Sequence, residues 1–178
     1  MVAPINPARQ TSNGMDTWWW VPAIASLTAP TVAEINAAGG LNVSCFLLKD
    51  TEDPTSETER VTLPAALCET STVEFLGDQK IALADMTFFM DPQAAAAADG
   101  KKAWALLKDG GPGFLVRRQN VIADQASPEA TAGQFVDTFR VTTNKAVPGK
   151  TSTGADGVYK FTCAVGCTGF AFNVAVAA

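Results

Sequence analysis

The chain of 178 residues contains no histidine. That absence removes Ser–His and Cys–His nucleophilic pairs, His-ligated zinc and any imidazole proton shuttle. Charge is scarce as well, at 17% of residues, against about a quarter in an average soluble domain. Thirteen basic and 18 acidic side chains leave a formal net charge of −5. A phosphate-neutralising basic face is therefore missing, which argues against a DNA-binding protein. A sparse, slightly negative surface suits a protein covered largely by copies of itself.

Targeting and membrane signals are missing too. The first 20 residues hold one basic residue, Arg9, and are broken by Pro4 and Pro7, unlike a secretory leader. The apolar run Trp18–Ala25 contains Pro22 and is too short to span a bilayer. The run Ala94–Ala98 is short and leads into Asp99, Gly100, Lys101 and Lys102. The expectation is a soluble protein made in the cytoplasm. Gly110-Gly111-Pro112-Gly113 has no Lys-Ser or Lys-Thr behind it and so reads as a turn, not a phosphate loop. Asp50, Glu52 and Asp53 lack the glycine and closing glutamate of a calcium loop. Cysteines at 45, 68, 163 and 167 include only one close pair. Zinc wants four ligands, so these read as reduced thiols buried as small apolar residues.

What remains is a chain that is 47% apolar and able to bury a sizeable core. Residues 1–16 lack periodicity and read as an arm. Trp18–Ile24, rich in aromatic and β-branched residues, reads as a strand. Thr31 with Glu34 three residues on is a capping box for a short helix ending at Gly39-Gly40. Strand alternation follows over Leu41–Leu48. Lys49–Arg60 holds five acids, two bases and no apolar residue, and so reads as a long solvated or partner-facing loop. Short strands are expected at Arg60–Leu63 and Thr72–Leu76, and a long one at Lys80–Met90. Asp91-Pro92 then opens the main helix, which runs to Lys108, with Trp104 anchoring it to the sheet. Strands follow at Gly113–Asn120, Gln134–Lys145, Gly157–Val165 and Phe170–Ala177, with a hairpin turn at Gly166–Gly169. In the strand containing Arg117 and Arg118 the two side chains leave on opposite faces, so the pair is no phosphate clamp. The fold class expected is mainly β: an antiparallel sandwich or barrel of about eight strands with one flanking α-helix.

Several strings carry a resemblance. They are Trp20-Val21-Pro22-Ala23-Ile24, then Ala29-Pro30-Thr31-Val32-Ala33-Glu34-Ile35, then the strand 41–48. The strand-to-helix segment 88–108, the strand 113–118 and the late strand 135–145 complete the order. In this layout the chain resembles the major tail tube protein of long-tailed (siphovirus-type) bacteriophages, particularly those of actinobacterial hosts. The resemblance implies a single tail-tube domain over 1–178, with an N-terminal arm at 1–17 and an acidic loop at 49–60. It implies hexameric rings stacked into a hollow tube in the virion tail that conducts the genome into the host.

The partners so implied are the chain itself and the tail terminator, tape-measure and distal tail proteins. DNA passes through the lumen unbound. No enzymatic activity, cofactor, metal or membrane partner is expected. Asp50, Glu52, Asp53, Glu57, Glu59 and Arg60 are then candidates for ring stacking. Glu74, Asp85 and Asp137 lie in or beside apolar strands, where an unpaired carboxylate is costly to bury, and are candidates for lining the bore. Residues 1–16 and Ala171–Ala178 are expected to be unpaired in a free subunit. The other readings are a β-sandwich module for capsid decoration or host-surface binding, and a hydrolase built on a carboxylate pair.

Overall fold

The computed structural model describes residues 15–48, 53–64, 74–95, 98–120, 129–153 and 157–178. Along the chain run β1 (Thr17–Val21), α1 (Val32–Ile35), β2 (Leu41–Asn42), β3 (Thr55–Thr62) and β4 (Glu74–Ala82). Then follow β5 (Met86–Phe89), α2 (Asp99–Leu107), β6 (Gly111–Arg118), β7 (Phe135–Thr143), β8 (Val147–Lys150), β9 (Tyr159–Cys163) and β10 (Val165–Ala175). They form an antiparallel five-stranded sheet ordered β10-β7-β6-β1-β2, a three-stranded sheet ordered β5-β9-β8, and a two-stranded ribbon β3-β4. The expected antiparallel β-sandwich is what the chain forms.

The inner strands of the five-stranded sheet, β1, β6 and β7, carry buried residues on both faces. One face brings Trp18, Trp20, Leu115, Phe139 and Val141 against Met86, Phe88, Phe161 and Cys163 of the three-stranded sheet. The other gathers Trp19, Val21, Val116 and Val136 with Ile24, Ile35 and Val176. Strand side chains alternate, so the tryptophan run divides between the two cores. Packing is close enough that glycine is required at 113, where a Cβ would lie 2.3 Å from the Trp20 indole.

On the second face α1 is set by a complete capping box. The Thr31 hydroxyl accepts the Glu34 N–H at 3.2 Å, and Glu34 Oε2 accepts the Thr31 N–H at 2.8 Å. The free oxygen Oε1 takes the Ala25 N–H at 2.8 Å. These backbone donors hold the Glu34 carboxyl below its ordinary pKa. Asn36, the C-cap, then clamps Ala130 by both its N–H and its carbonyl.

Two chain crossings between the sheets lie side by side. β7 leads to β8 through residues 144–146, and β9 leads to β10 through Ala164 alone. Asn144 bridges them: its N–H donates to the Ala164 carbonyl at 3.2 Å, and its Oδ1 accepts the Ala164 N–H at 2.9 Å. The end of α2 braces this corner, because the Lys108 carbonyl accepts the Ala146 N–H. Gly110, at φ +69°, comes so near that a Cβ would lie 2.6 Å from the Asn144 backbone.

The structure corrects several expectations. The segment 41–48 is a strand only at Leu41–Asn42, because Asn42 Oδ1 accepts both the N–H and the hydroxyl of Ser44 and turns the chain. It then crosses over, and Leu47 bridges to Phe88 of the other sheet. The expected strand 80–90 is two strands in different sheets. Ile81 and Leu83 are buried before the break, and Met86 and Phe88 after it, so the inward parity flips at Ala84–Asp85. The helix starts at Asp99 and not at Pro92. Asp91 Oδ1 accepts the Gln93 N–H instead, which makes a tight turn. Among the described side chains of α2, Ala103 and Leu107 are buried, and Trp104 meets the Phe161 ring edge-on at 5.3 Å.

Gly166–Gly169 is no hairpin turn. It lies within β10, where the register to β7 slips between Cys167 and Gly169 as a bulge. The strand β8 at Val147–Lys150 has no counterpart among the expected strands. The segment 171–178 is paired within the chain: β10 runs to Ala175, and Ala177 exchanges backbone hydrogen bonds with the segment Pro30–Val32. Of the expected arm 1–17, residues 1–14 lie outside the described residues and Thr17 opens β1.

Candidate assembly surface

Of the expected acidic loop 49–60, residues 55–60 are not loop but the first part of β3. All eight residues of β3 are exposed, as are the first seven of β4. Thr, Val and Phe favour extended backbone, but with water on both faces no hydrophobic alternation marks β3. Cross-strand pairs mark it instead. Glu57 lies opposite Lys80, Thr58 opposite Gln79, and Arg60 donates to Glu74 Oε2 at 3.1 Å. The root is fixed by Ile81 and Leu83, which enter the first core.

Beyond the slip in register between Thr58 and Arg60 the ribbon turns apolar. Val61 faces Phe75 on one side, and Leu76 lies opposite Arg60 on the other. Leu76 is 71% exposed and Phe75 55%, with Val61 and Leu63 close behind. A two-stranded ribbon alone in water is marginal, and a cluster of exposed apolar side chains marks a contact surface.

Of the stacking candidates, Asp50 and Glu52 lie outside the described residues. Glu57, Glu59 and Arg60 stand on β3 in solvent. Asp53 stands at the ribbon's root, and Arg117 Nη1 donates to it at 3.0 Å. Of the bore candidates, Glu74 is on the ribbon and Asp85 is in the exposed link before β5. Asp137 does not face water. Its side chain is buried, and Oδ2 takes two hydrogen bonds from Arg117 at 3.0 and 3.2 Å while Oδ1 accepts the Asn173 N–H at 2.9 Å. The premise that a carboxylate in an apolar strand must reach solvent fails where a buried arginine supplies the partner.

Arg117 and Arg118 do leave on opposite faces. Arg117 stacks over Trp18 at 5.6 Å and Arg118 over Trp19 at 4.9 Å. Burial lowers the Arg118 pKa, and its guanidinium is held by Thr17, Gln134 and the Glu129 carbonyl. Sequence reasoning missed this role for the pair, although the facing of Trp18 by Arg117 and of Thr17 by Arg118 follows once β1 and β6 are aligned.

The thiols differ in environment. Cys45 is exposed, whereas the Cys163 thiol, buried in the core near the Asp85 carboxylate, is pushed up to about 11. Cys167 is half-buried beside the Gly169 carbonyl. Among the described residues no three Cys, Asp or Glu side chains gather as a metal site. None of the described helices is long and apolar enough to cross a membrane.

Unpaired strand edges complete the surface. β10 and β8 end their sheets with no further strand beyond them among the described residues. Phe172 on β10 and Val147 on β8 are exposed. Open edges and an apolar ribbon are features of a protein that associates through its strands.

The chain has the build of an assembling structural protein. Over residues 3–178 it matches the family model described as phage tail tube protein, and it belongs to that family. It is thus a structural component of a phage tail. No curated protein sequence matches it. Among solved structures it is similar to a chain of the anti-feeding prophage (AFP) baseplate, determined by cryo-EM and 6-fold symmetrised. The two share 8% identity and a TM-score of 0.48, with 96% of each chain covered.

Proposed function

We propose that the protein is the major tube subunit of a long-tailed phage and that it assembles into hexameric rings. The rings stack into a hollow conduit for the genome, with the ribbon β3–β4 making the contact between successive rings. The observation that carries this reading is the ribbon's distal half, where Val61, Phe75 and Leu76, with Leu63 just beyond β3, are exposed on two strands that, among the described residues, pair only with each other. Covering those side chains favours association by about 25 cal/mol per Å² of apolar area removed from water. The open edges of β10 and β8 supply the lateral contacts in this reading. Glu74 and Asp85 face the lumen, where carboxylates repel passing phosphates. The terminator, tape-measure and distal tail proteins cap and measure the tube.

Negative-stain microscopy of the concentrated full chain tests the reading, and tubes are expected. The double variant Phe75→Ser with Leu76→Ser keeps the subunit folded, because neither side chain enters a core, and is expected to yield no tubes. Tubes of normal length from that variant would remove the ribbon from the contact. A wild-type chain that stays monomeric at every concentration would overturn the reading as a whole.

A further inference from the structure

Arg117 joins four elements through one guanidinium. It stands at the next-to-last position of β6, opposite Trp18 of β1 and Asp137 of β7. Its Nε and Nη2 donate to one oxygen of Asp137, at 3.2 and 3.0 Å. The other oxygen of that carboxylate accepts the backbone N–H of Asn173 at 2.9 Å. Asn173 lies where the β10 register slips between Ala171 and Val174, and its φ is +52°, a left-handed conformation uncommon outside glycine, which asparagine adopts more readily than most residues. The remaining nitrogen, Nη1, donates to Asp53 at 3.0 Å. Asp53 leads directly into the ribbon and its side chain is 87% exposed, whereas those of Arg117 and Asp137 are 9% and 10% exposed.

We propose that Arg117 and Asp137 act as a latch that couples the root of the ribbon to the bulge of the edge strand β10. The planar guanidinium is clamped on one side by two bonds to Asp137 and on the other by Asp53. Its orientation therefore sets the orientation of the Asp137 carboxylate, and that carboxylate holds the Asn173 backbone in its left-handed turn. When the ribbon root moves, Asp53 leaves Nη1 and the buried cation loses one of its two carboxylates. The guanidinium then relaxes toward the solvent side, and the hold on Asn173 loosens. In return, a change at the bulge is felt at Asp53, since coupling between two sites is reciprocal. Arg117 is a positioning residue in this scheme. The latch belongs to the single subunit. Only its consequence, that a contact made by the ribbon alters the open edge of β10, rests on the tube reading.

The test uses the full chain at a concentration where it is monomeric, with residue-resolved amide hydrogen exchange by NMR. Asp53→Asn removes the exposed carboxylate and touches neither core. The latch predicts that the Asn173 amide exchanges about three- to fivefold faster, the scale of a partly exposed ion pair. The Val141 amide, further along β7, should stay unchanged. Unchanged exchange at Asn173 alongside a looser Thr55–Glu57 would show that Asp53 only tethers the ribbon, and would overturn the proposal. A uniform acceleration at Asn173 and Val141 alike would show general destabilisation, and would overturn it too. Because no assembly is read, a failure here leaves the tube reading standing, and a failure to form tubes leaves the latch standing.

Discussion

The sandwich and the ribbon each contain a cross-strand Arg–carboxylate pair of nearly the same geometry. Arg117 meets Asp137 at 3.0 Å and Arg60 meets Glu74 at 3.1 Å. The first pair is about nine-tenths buried, while the side chains of the second are 67% and 50% exposed. The surroundings, not the bond lengths, decide what each does. In water the ribbon pair is screened and contributes little. Inside the sandwich the pair is held by further hydrogen bonds, and removing one partner strands a charge. The body is thus built to be intolerant of change, and the ribbon to be tolerant of it until something covers it.

Breaking the two pairs sharpens that contrast most. Arg117→Ala should lose about 3–5 kcal/mol of unfolding free energy in urea, while Arg60→Ala should stay within about 1 kcal/mol of wild type. Equal losses would show that the ribbon is as integral as the sheet. Gly113→Ala, which forces a Cβ into the Trp20 indole, should cost about 1–3 kcal/mol, read as a lowered Tm.

Thr31→Ala, which opens the capping box, should cost about 0.5–2 kcal/mol. The Glu34 pKa is lowered in the folded chain. Its contribution is therefore present above the unfolded-state pKa and is lost as the pH falls through the folded value. Acid titration of wild type against Glu34→Gln should show a stability difference that shrinks on acidification. The ribbon double variant Phe75→Ser with Leu76→Ser should shift subunit stability by no more than about 0.5 kcal/mol, however large its effect on assembly. Without changing stability at all, iodoacetamide at pH 8 should alkylate exposed Cys45 in the native chain and spare Cys163, whose thiol stays protonated. Mass spectrometry of the intact fold would reveal it.

Legibility from sequence follows the same division. β1, β6 and β7 are readable because they are runs of aromatic, β-branched and other apolar residues that enter the two cores, and the capping box at Thr31 and Glu34 has a local mechanism. Of β3 only the end is readable, as the short strand expected at Arg60–Leu63; its first residues, wet on both faces, have no period to detect. The break at Ala84–Asp85 is hidden because alternation continues on either side of it and only the inward parity changes. Gly166 and Gly169 were ambiguous between a turn and a bulge, and the strand opposite decides between them. Asp137 is opaque in the sequence because its partner, Arg117, lies 20 positions away on another strand, beyond any local spacing. The tube family itself was legible from the order of elements and a few short strings.

The corner at Asn144 and Ala164 sets how the subunit answers a mechanical load. Two layers joined only by side-chain packing can slip past each other like cards. Here the chain passes from one layer to the other twice at the same place, and Asn144 ties the two passages together by two hydrogen bonds. A shear applied to one layer therefore reaches the other along covalent backbone, and the end of α2 props the hinge from outside. Such a sandwich deforms as one body, turning about its corner before its faces can slide.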